Sequence, residues 1–339
     1  LAGSTLDLWP LYLLHPGAVT LNFALTIHTT CRITINQGAE IHFKSTDTGR
    51  EERFATFNDV LIAKSYKHPI GAWLARAFFS PHASADGAPP KVPGFTLETR
   101  SESPAGAGIS GSSALMIATT AALARLTGRK MDREEMRVLA QNVEAQIINV
   151  PTGCQDYYPA LFGGVSAIHL REEGIRREAL PVAPEEIERR FVLVYTGAPR
   201  QSGINNWEVF KAHIDGDKKV VRNFEAISQI AQAMHPVLAA EQWDEVARLL
   251  REEWKLRKSN YKGISTPQID TLITAAMKRG GVAAKVCGAG GGGCVVIMTR
   301  EDATESVAQA LRAKGGQLLP FKVERNGVQV TESARAGRG

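Results

Sequence analysis

The sequence predicts a mixed fold of helices and strands built in two parts. Three observations carry that reading. The chain has 339 residues, a length that suits two domains better than one. Runs rich in β-branched residues alternate with runs whose apolar residues recur every three to four positions. Residues 171–190, with Pro181, Pro184 and many charges, read as a linker, which divides the chain into parts 1–185 and 190–333. The small, basic end, 334–339, reads as a disordered tail.

In the first part, AVTLNFALTIHTTCRITIN at 18–36 reads as one or two strands, and IHFKST at 41–46 and FTLETR at 95–100 as further strands. Residues 68–80 read as a helix, and HASADGAPPKVPG at 82–94 as a loop. A helix, ALMIATTAALARL, follows a glycine loop and ends near Gly128. The next begins at Asp132, which forms a capping box with Glu135. Met136, Leu139, Ala140, Val143 and Ile147 make its apolar face, and Pro151 stops it. VSAIHL at 165–170 is a strand. The second part opens with the strand FVLVYTG at 191–197. A long helix follows, with Val220, Phe224, Ile227, Ala231, Met234 and Leu238 on one face. A second helix covers about 242–258. A third starts near Pro267, a residue suited to the first helical position, and ends at Gly280–Gly281. Strands AAKVCG at 283–288 and CVVIMT at 294–299, a helix near 302–314, and strands at 317–323 and 327–331 complete the chain.

Composition narrows the class. Hydrophobic residues make up 44% and charged residues 22%, ordinary for a globular protein. The net charge of +5 favours anionic substrates slightly. No basic stripe with interleaved aromatics suggests nucleic acid. No apolar run reaches the length of a membrane span, and no basic segment precedes the N-terminal apolar stretch as in a signal peptide. Cys31, Cys154, Cys287 and Cys294 are scattered without a C-x2-C pair, which argues against a zinc site and fits reduced thiols in a cytoplasmic protein. Leu1 lies in an apolar segment and is not an initiator Met, so upstream residues are expected.

Four clusters carry chemistry. The first is PAGAGISGSSA, 104–114, with Gly106, Gly108 and Gly111 beside Ser110, Ser112 and Ser113. Its open backbone N–H groups, and those of the helix turn behind it, form an anion site strengthened by the helix dipole. Serine hydroxyls at its end suit a phosphate oxygen or Mg2+. The second is CGAGGGGC, 287–294. A strand follows these glycines rather than a helix, which argues against a dinucleotide-binding turn. A plain tight hairpin remains open, although five glycines exceed what one requires. The third is PTGCQDYYPALFGG, 151–164, whose Asp156 is either a helix cap or a catalyst. The fourth is AGSTLD, 2–7, where Asp7 by default caps a turn.

In this order the four clusters resemble the GHMP kinases, named for galacto-, homoserine, mevalonate and phosphomevalonate kinases. Residues 104–114 match that family's Pro-x-Gly-x-Gly-Leu-x-Ser-Ser-Ala loop, with one residue more, and 288–293 match its Gly-Ala-Gly-Gly-Gly-Gly run. The opening AGSTLD with HPGAVTLNFAL, the segment 151–164, and YTGAPRQSG at 195–203 look most like the sugar kinases that act on heptose 7-phosphate. The resemblance implies an α+β fold: an N-terminal part like the second domain of ribosomal protein S5 and a ferredoxin-like C-terminal part. It implies ATP and Mg2+ as cofactors and a small sugar or sugar phosphate as substrate. Pro104, Gly106, Ala107, Gly108, Ile109, Ser110, Gly111, Ser112, Ser113 and Ala114 are then expected at the ATP phosphates. Ser113, or else Ser112, is expected at the metal, and Asp156 as the catalytic base. Asp7, Thr152, Gln155, Arg200, Gly290 and Gly291 are expected at the substrate. A basic residue that galactokinase-like members carry before the opening motif would precede Leu1. The expected activity is phosphorylation of a hydroxyl, the anomeric one first, by a monomer or homodimer. A mevalonate-type kinase and a non-catalytic ligand-binding member are the alternatives.

Overall fold

The structure is a computed structural model that describes residues 1–80, 92–200 and 204–333. Most of the expected loop 82–94, the last three residues of YTGAPRQSG and the expected tail 334–339 lie outside the described residues.

After a short 3-10 turn, the chain forms β1 (Val19–Phe23), β2 (Thr29–Ile35), β3 (Ile41–Ser45) and β4 (Glu51–Phe54). Helices α1 (Phe57–Ile62) and α2 (Pro69–Phe79) lead to β5 (Phe95–Ser101). One sheet has the order β2-β5-β3-β4, with β5 antiparallel to β2 and parallel to β3. Ile41, Phe43, Phe95 and Leu97 on its inner face are wholly buried. They meet Leu74 and Phe78 of α2, and Met116 and Ile117 of α3 (Gly111–Thr127), in one apolar cluster. Full burial of each such side chain contributes roughly 1.5–3 kcal/mol. β4 and α1 escape the sequence pattern because both are short and β4 is mostly charged.

Helix α4 (Arg133–Ile148) begins with the expected capping box of Asp132 and Glu135. It ends before Pro151, because Asn149 adopts the left-handed conformation at φ 55°. α5 (Tyr157–Phe162) then leads into β6 (Val165–Arg171), which lies between β1 and β7 (Gly174–Ala179) in a second, antiparallel sheet. The expected linker 171–190 is therefore structured. β7 pairs with β6, and α6 (Pro184–Arg190) follows. The prolines and charges that suggest a linker instead suit this helix. Pro184 occupies its first turn with Glu185 and Glu186, and Arg189 and Arg190 occupy its last, in accord with the helix dipole.

The C-terminal sheet is antiparallel, in the order β11-β8-β10-β9: β8 (Phe191–Tyr195), β9 (Gly281–Val286), β10 (Cys294–Thr299) and β11 (Gln317–Leu318). The single long helix expected after β8 is two, α7 (Ile204–Ile214) and α8 (Lys218–Ala239). Gly216 breaks them at φ 77°, and Asp217 caps α8 by accepting from the N–H groups of Lys219 and Val220. All six expected apolar residues of α8 are buried. α9 (Trp243–Asn260), α10 (Pro267–Met277) and α11 (Thr304–Ala313) complete this part. The expected strand 317–323 shrinks to Gln317–Leu318, and 327–331 forms no strand. That segment runs over α5 and α3 instead: Gly327 abuts the Leu161 carbonyl, and Glu332 pairs with Arg125.

The apolar cores run through both parts. Ala2, Val19, Leu21 and Val165 pack in one cluster with Leu193, Met234 and Cys294. Leu6 and Ile168 join Val194, Phe224 and Leu272 in another. No helix among the described residues is long and apolar enough to cross a membrane.

Candidate active site

A cavity of about 2190 Å3 opens where these elements meet. The glycine loop enters it between β5 and α3. Gly108, Ile109, Ser110, Ser112, Ser113 and Ala114 line it; Pro104, Gly106, Ala107 and Gly111 do not. The last group supports the loop from behind. Gly106 accepts the Arg200 N–H at its carbonyl, Ala107 accepts that of Cys294, and Gly111 abuts Ser103. Contact with the hairpin between β9 and β10 explains the glycines on both sides. A Cβ on Gly108 would stand 2.9 Å from the Cys287 carbonyl oxygen, and one on Gly293 would stand 2.6 Å from that of Ala107. The glycine run is thus a hairpin turn that packs tightly on the glycine–serine loop. Ser110, the residue before α3, sits in the left-handed region at φ 64°, and its side chain makes no capping bond. The first turn of α3 keeps N–H groups free to meet an anion.

Two serines of that first turn converge on a group absent from the expected set. Glu144, buried on α4, accepts hydrogen bonds from Ser112 Oγ at 2.7 Å, from Ser113 Oγ at 3.0 Å, and from the Tyr157 hydroxyl. Burial first, then the Glu144 charge, pushes the Tyr157 phenol far above its usual range. A sequence signal existed: Glu144 interrupts the apolar stripe of Ala140, Val143 and Ile147, where a carboxylate needs a partner.

Asp7 lines the same cavity. Its Oδ1 accepts from Thr5 N at 3.1 Å and Gln155 Nε2 at 3.0 Å; its Oδ2 accepts from Gln155 N at 3.0 Å. Burial first, and then the charge of Asp156, raises its pKa to about 6, against the pull of these N–H donors. Gly153 has no room for a side chain, since a Cβ there would meet Asp7 Oδ2 at 2.0 Å. The turn carrying Asp7 is strained, with Thr5 at φ 76°, a genuine outlier for a β-branched residue. A buried ionic network holds it. Arg257 donates to Thr5 Oγ1 at 3.0 Å and to the Ser4 carbonyl, and Glu253 binds both Arg257 and Lys285 at 2.8 Å. Burial alone would raise the Glu253 carboxyl, but the two cations outweigh it and hold it at about 2. No local sequence pattern links residues 5 and 257, so this support is invisible before folding.

Asp156 precedes α5 and lines the cavity, yet its side chain makes no capping bond. The helix-cap reading therefore fails. Thr152, Gln155 and Arg200 also line the cavity, as does Gly288. The Arg200 side chain lies against Gly108 and Gly288, between the two glycine elements. Gly290 and Gly291, expected at the substrate, turn away from the cavity to pack on Ile264, Gly263 and Asn205.

Two family models match the chain. The N-terminal domain of GHMP kinases matches residues 72–164 and the C-terminal domain residues 234–317, together just over half of the chain. The chain belongs to the GHMP kinases. It is a phosphotransferase with a hydroxyl acceptor, in the two-domain, mixed helix-and-sheet fold of that family. Among relatives, a D-glycero-alpha-D-manno-heptose 7-phosphate kinase of Campylobacter jejuni is 27% identical over 243 residues, 69% of this chain and 70% of that protein. A mevalonate kinase of Thermococcus sibiricus is 27% identical over 247 residues, 71% of each. The fold is also that of a D-glycero-D-manno-heptose 1-phosphate kinase from Bacteroides thetaiotaomicron. That match has a TM-score of 0.77 and 19% identity, and covers 98% of this chain and 96% of that one. For this GHMP kinase, the donor set at the loop fits Mg2+: two hydroxyls and a carboxylate are hard oxygen ligands.

Proposed function

We propose that this kinase transfers the γ-phosphoryl group of ATP to a hydroxyl of a sugar or sugar phosphate, with the anomeric hydroxyl of a heptose-phosphate-like acceptor as the best fit. One observation carries the reading: Asp156, free of any capping bond, shares a cavity with the glycine loop and the serines bound to Glu144.

The free N–H groups of the loop and the α3 turn bind the ATP phosphates, and Arg200 adds positive charge beside them. Ser113, with Ser112 as the alternative, and Glu144 would hold Mg2+, which neutralises phosphate charge when bound. Asp156 accepts the acceptor hydroxyl's proton as that oxygen bonds to the γ-phosphorus and the bond to ADP breaks. Asp7 orients the acceptor. Both acceptor sites of its Oδ1 are taken by Thr5 and Gln155, which leaves one on Oδ2 for a substrate hydroxyl.

The same two carboxylates favour a sugar over mevalonate. A sugar offers several hydroxyl donors to Asp7 and Asp156, more than the two hydroxyls of mevalonate. The likeness to the heptose 7-phosphate kinase supports the sugar reading, and the likeness to mevalonate kinases keeps the other as its competitor. A coupled ADP-release screen with heptose 7-phosphate, free heptose, galactose and mevalonate tests it. Turnover with a sugar or sugar phosphate alone supports the proposal. Preference for mevalonate, or tight ATP binding with no turnover on any acceptor, overturns it.

A further inference from the structure

Away from the cavity, three side chains from three elements converge where α8 meets the β1-β6-β7 sheet. In that hairpin Ala167 stands opposite Glu178, and His169 stands opposite Arg176. His169 and Glu178 are therefore diagonal neighbours on one face, within reach of each other. Ala167 of that face packs in one cluster with Ala231, Met234 and Leu238 of α8, and His235 comes down at the margin of this layer. The geometry points to a site for a first-row divalent metal of the Zn2+ class, held by His169, Glu178 and His235.

The donor atoms have the necessary convergence. His169 Nε2 lies 2.7 Å from Glu178 Oε2, and His235 Nε2 lies 3.1 Å from the same oxygen. One ligand atom from each residue falls within 4.8 Å of the others. Bonds of about 2.0–2.1 Å around a tetrahedral Zn2+ put neighbouring ligand atoms roughly 3.3 Å apart, so a small shift of the half-exposed Glu178 opens the space. The two rings stand at 87° to each other, which lets both nitrogens aim at one point.

A second observation separates this cluster from an ordinary surface ion pair. His235 Nε2 is shielded from solvent, and the Glu178 oxygen it faces at 3.1 Å is poorly placed to accept from it. A shielded ring nitrogen that must share one carboxylate oxygen with a second histidine is poorly satisfied, and a metal ion would serve all three groups. Two imidazoles and one carboxylate form a borderline donor set, too poor in oxygen for Mg2+ or Ca2+. The fourth position faces solvent and would carry water. The site uses no cysteine, so thiol spacing gives no hint of it. Its ligands lie at 169, 178 and 235, and only the packing of α8 on the sheet unites them. A bound ion would tie the hairpin to that helix. Arg176, opposite His169 in the ladder, is a cation close to the site, so affinity is lower than for a site among acids alone.

The test uses the full chain, stripped of metal and free of nucleotide and Mg2+. Zn2+ is titrated by calorimetry, and Co2+ by its visible d–d absorption. The expected result is one equivalent bound, a Co2+ band that Zn2+ displaces, and a melting temperature raised by roughly a few degrees in excess Zn2+. Glu178→Gln and His235→Ala should lose the band while keeping the far-ultraviolet circular dichroism of the parent. The absence of a band in the parent, or equal uptake by both variants, would overturn the site and leave a hydrogen-bonded His–Glu–His cluster.

Discussion

Gln155 binds both oxygens of the Asp7 carboxylate, its backbone N–H on Oδ2 and its side-chain amide on Oδ1, each at 3.0 Å. The contact joins two walls of the cavity across 148 residues of sequence. Gln155→Leu keeps the backbone bond and removes the other. Asp7 Oδ1 then retains only the Thr5 N–H. The expected cost is about 1–3 kcal/mol of stability, with KM for the acceptor raised more than kcat is lowered. Thermal melts and steady-state kinetics on one preparation measure both.

Asp7 also makes stability depend on pH. Its folded pKa of about 6 lies above the ordinary 3.8, so the native state holds this proton more tightly than the unfolded chain does. The resulting contribution is fully present below about pH 3.8 and is lost as pH rises through about 6. It amounts to roughly 3 kcal/mol. Asp7→Asn carries no such titration. The stability of the variant relative to the parent should therefore increase between pH 4 and pH 7, read as urea midpoints across that range. Its affinity for the acceptor should fall, because the carboxylate proposed to receive the substrate hydroxyl is gone.

Asp156→Asn removes the proposed base at a position where no capping bond is at stake. The expected loss in kcat is about 10²–10⁴-fold, with nucleotide affinity unchanged in a fluorescent-ATP titration. An Asn variant that turns over at the parent rate would exclude Asp156 as the base.

Glu144 separates a metal ligand from a mere helix anchor. Glu144→Gln preserves an acceptor for Ser112 and Ser113 but removes the charge. If Glu144 meets Mg2+, the Mg2+ concentration for half-maximal activity rises strongly, while the melting temperature without metal moves little. A rate loss that excess Mg2+ leaves unchanged would assign Glu144 to positioning the serines alone.

The legible parts of this chain were those written in local chemistry. The apolar stripe of α8 from Val220 to Leu238 follows helical period and is buried as its spacing requires. The Asp132–Glu135 box lies within one turn. The glycine loop stands out in the sequence by its glycines and serines, and Gly108, Ser112 and Ser113 line the cavity. What stayed hidden depends on distant partners. Glu144 acquires meaning only when Ser112 and Ser113 meet it, and Arg257 only when it reaches Ser4 and Thr5. Gly290 and Gly291 look like pocket residues in a glycine run, yet Ile264 and Asn205 fill the space beside them. Residues 171–190 read as a linker because charged residues dominate both the edge strand β7 and the short helix α6.

Ser110 offers the last prediction, and it sets stability against function. It holds φ 64° immediately before α3, where its side chain makes no capping bond. A left-handed conformation costs a non-glycine residue about 1–2 kcal/mol. Ser110→Gly removes that strain, while the extra freedom of glycine in the unfolded chain offsets about 0.4–1 kcal/mol of the gain. A net rise in the urea midpoint with an unchanged m-value is expected. Strain retained in the loop proposed to bind the phosphates points to use of Ser110 there, a residue that lines the cavity. The glycine variant should therefore show a higher KM for ATP alongside its greater stability. An unchanged KM would mean that the serine contributes only strain.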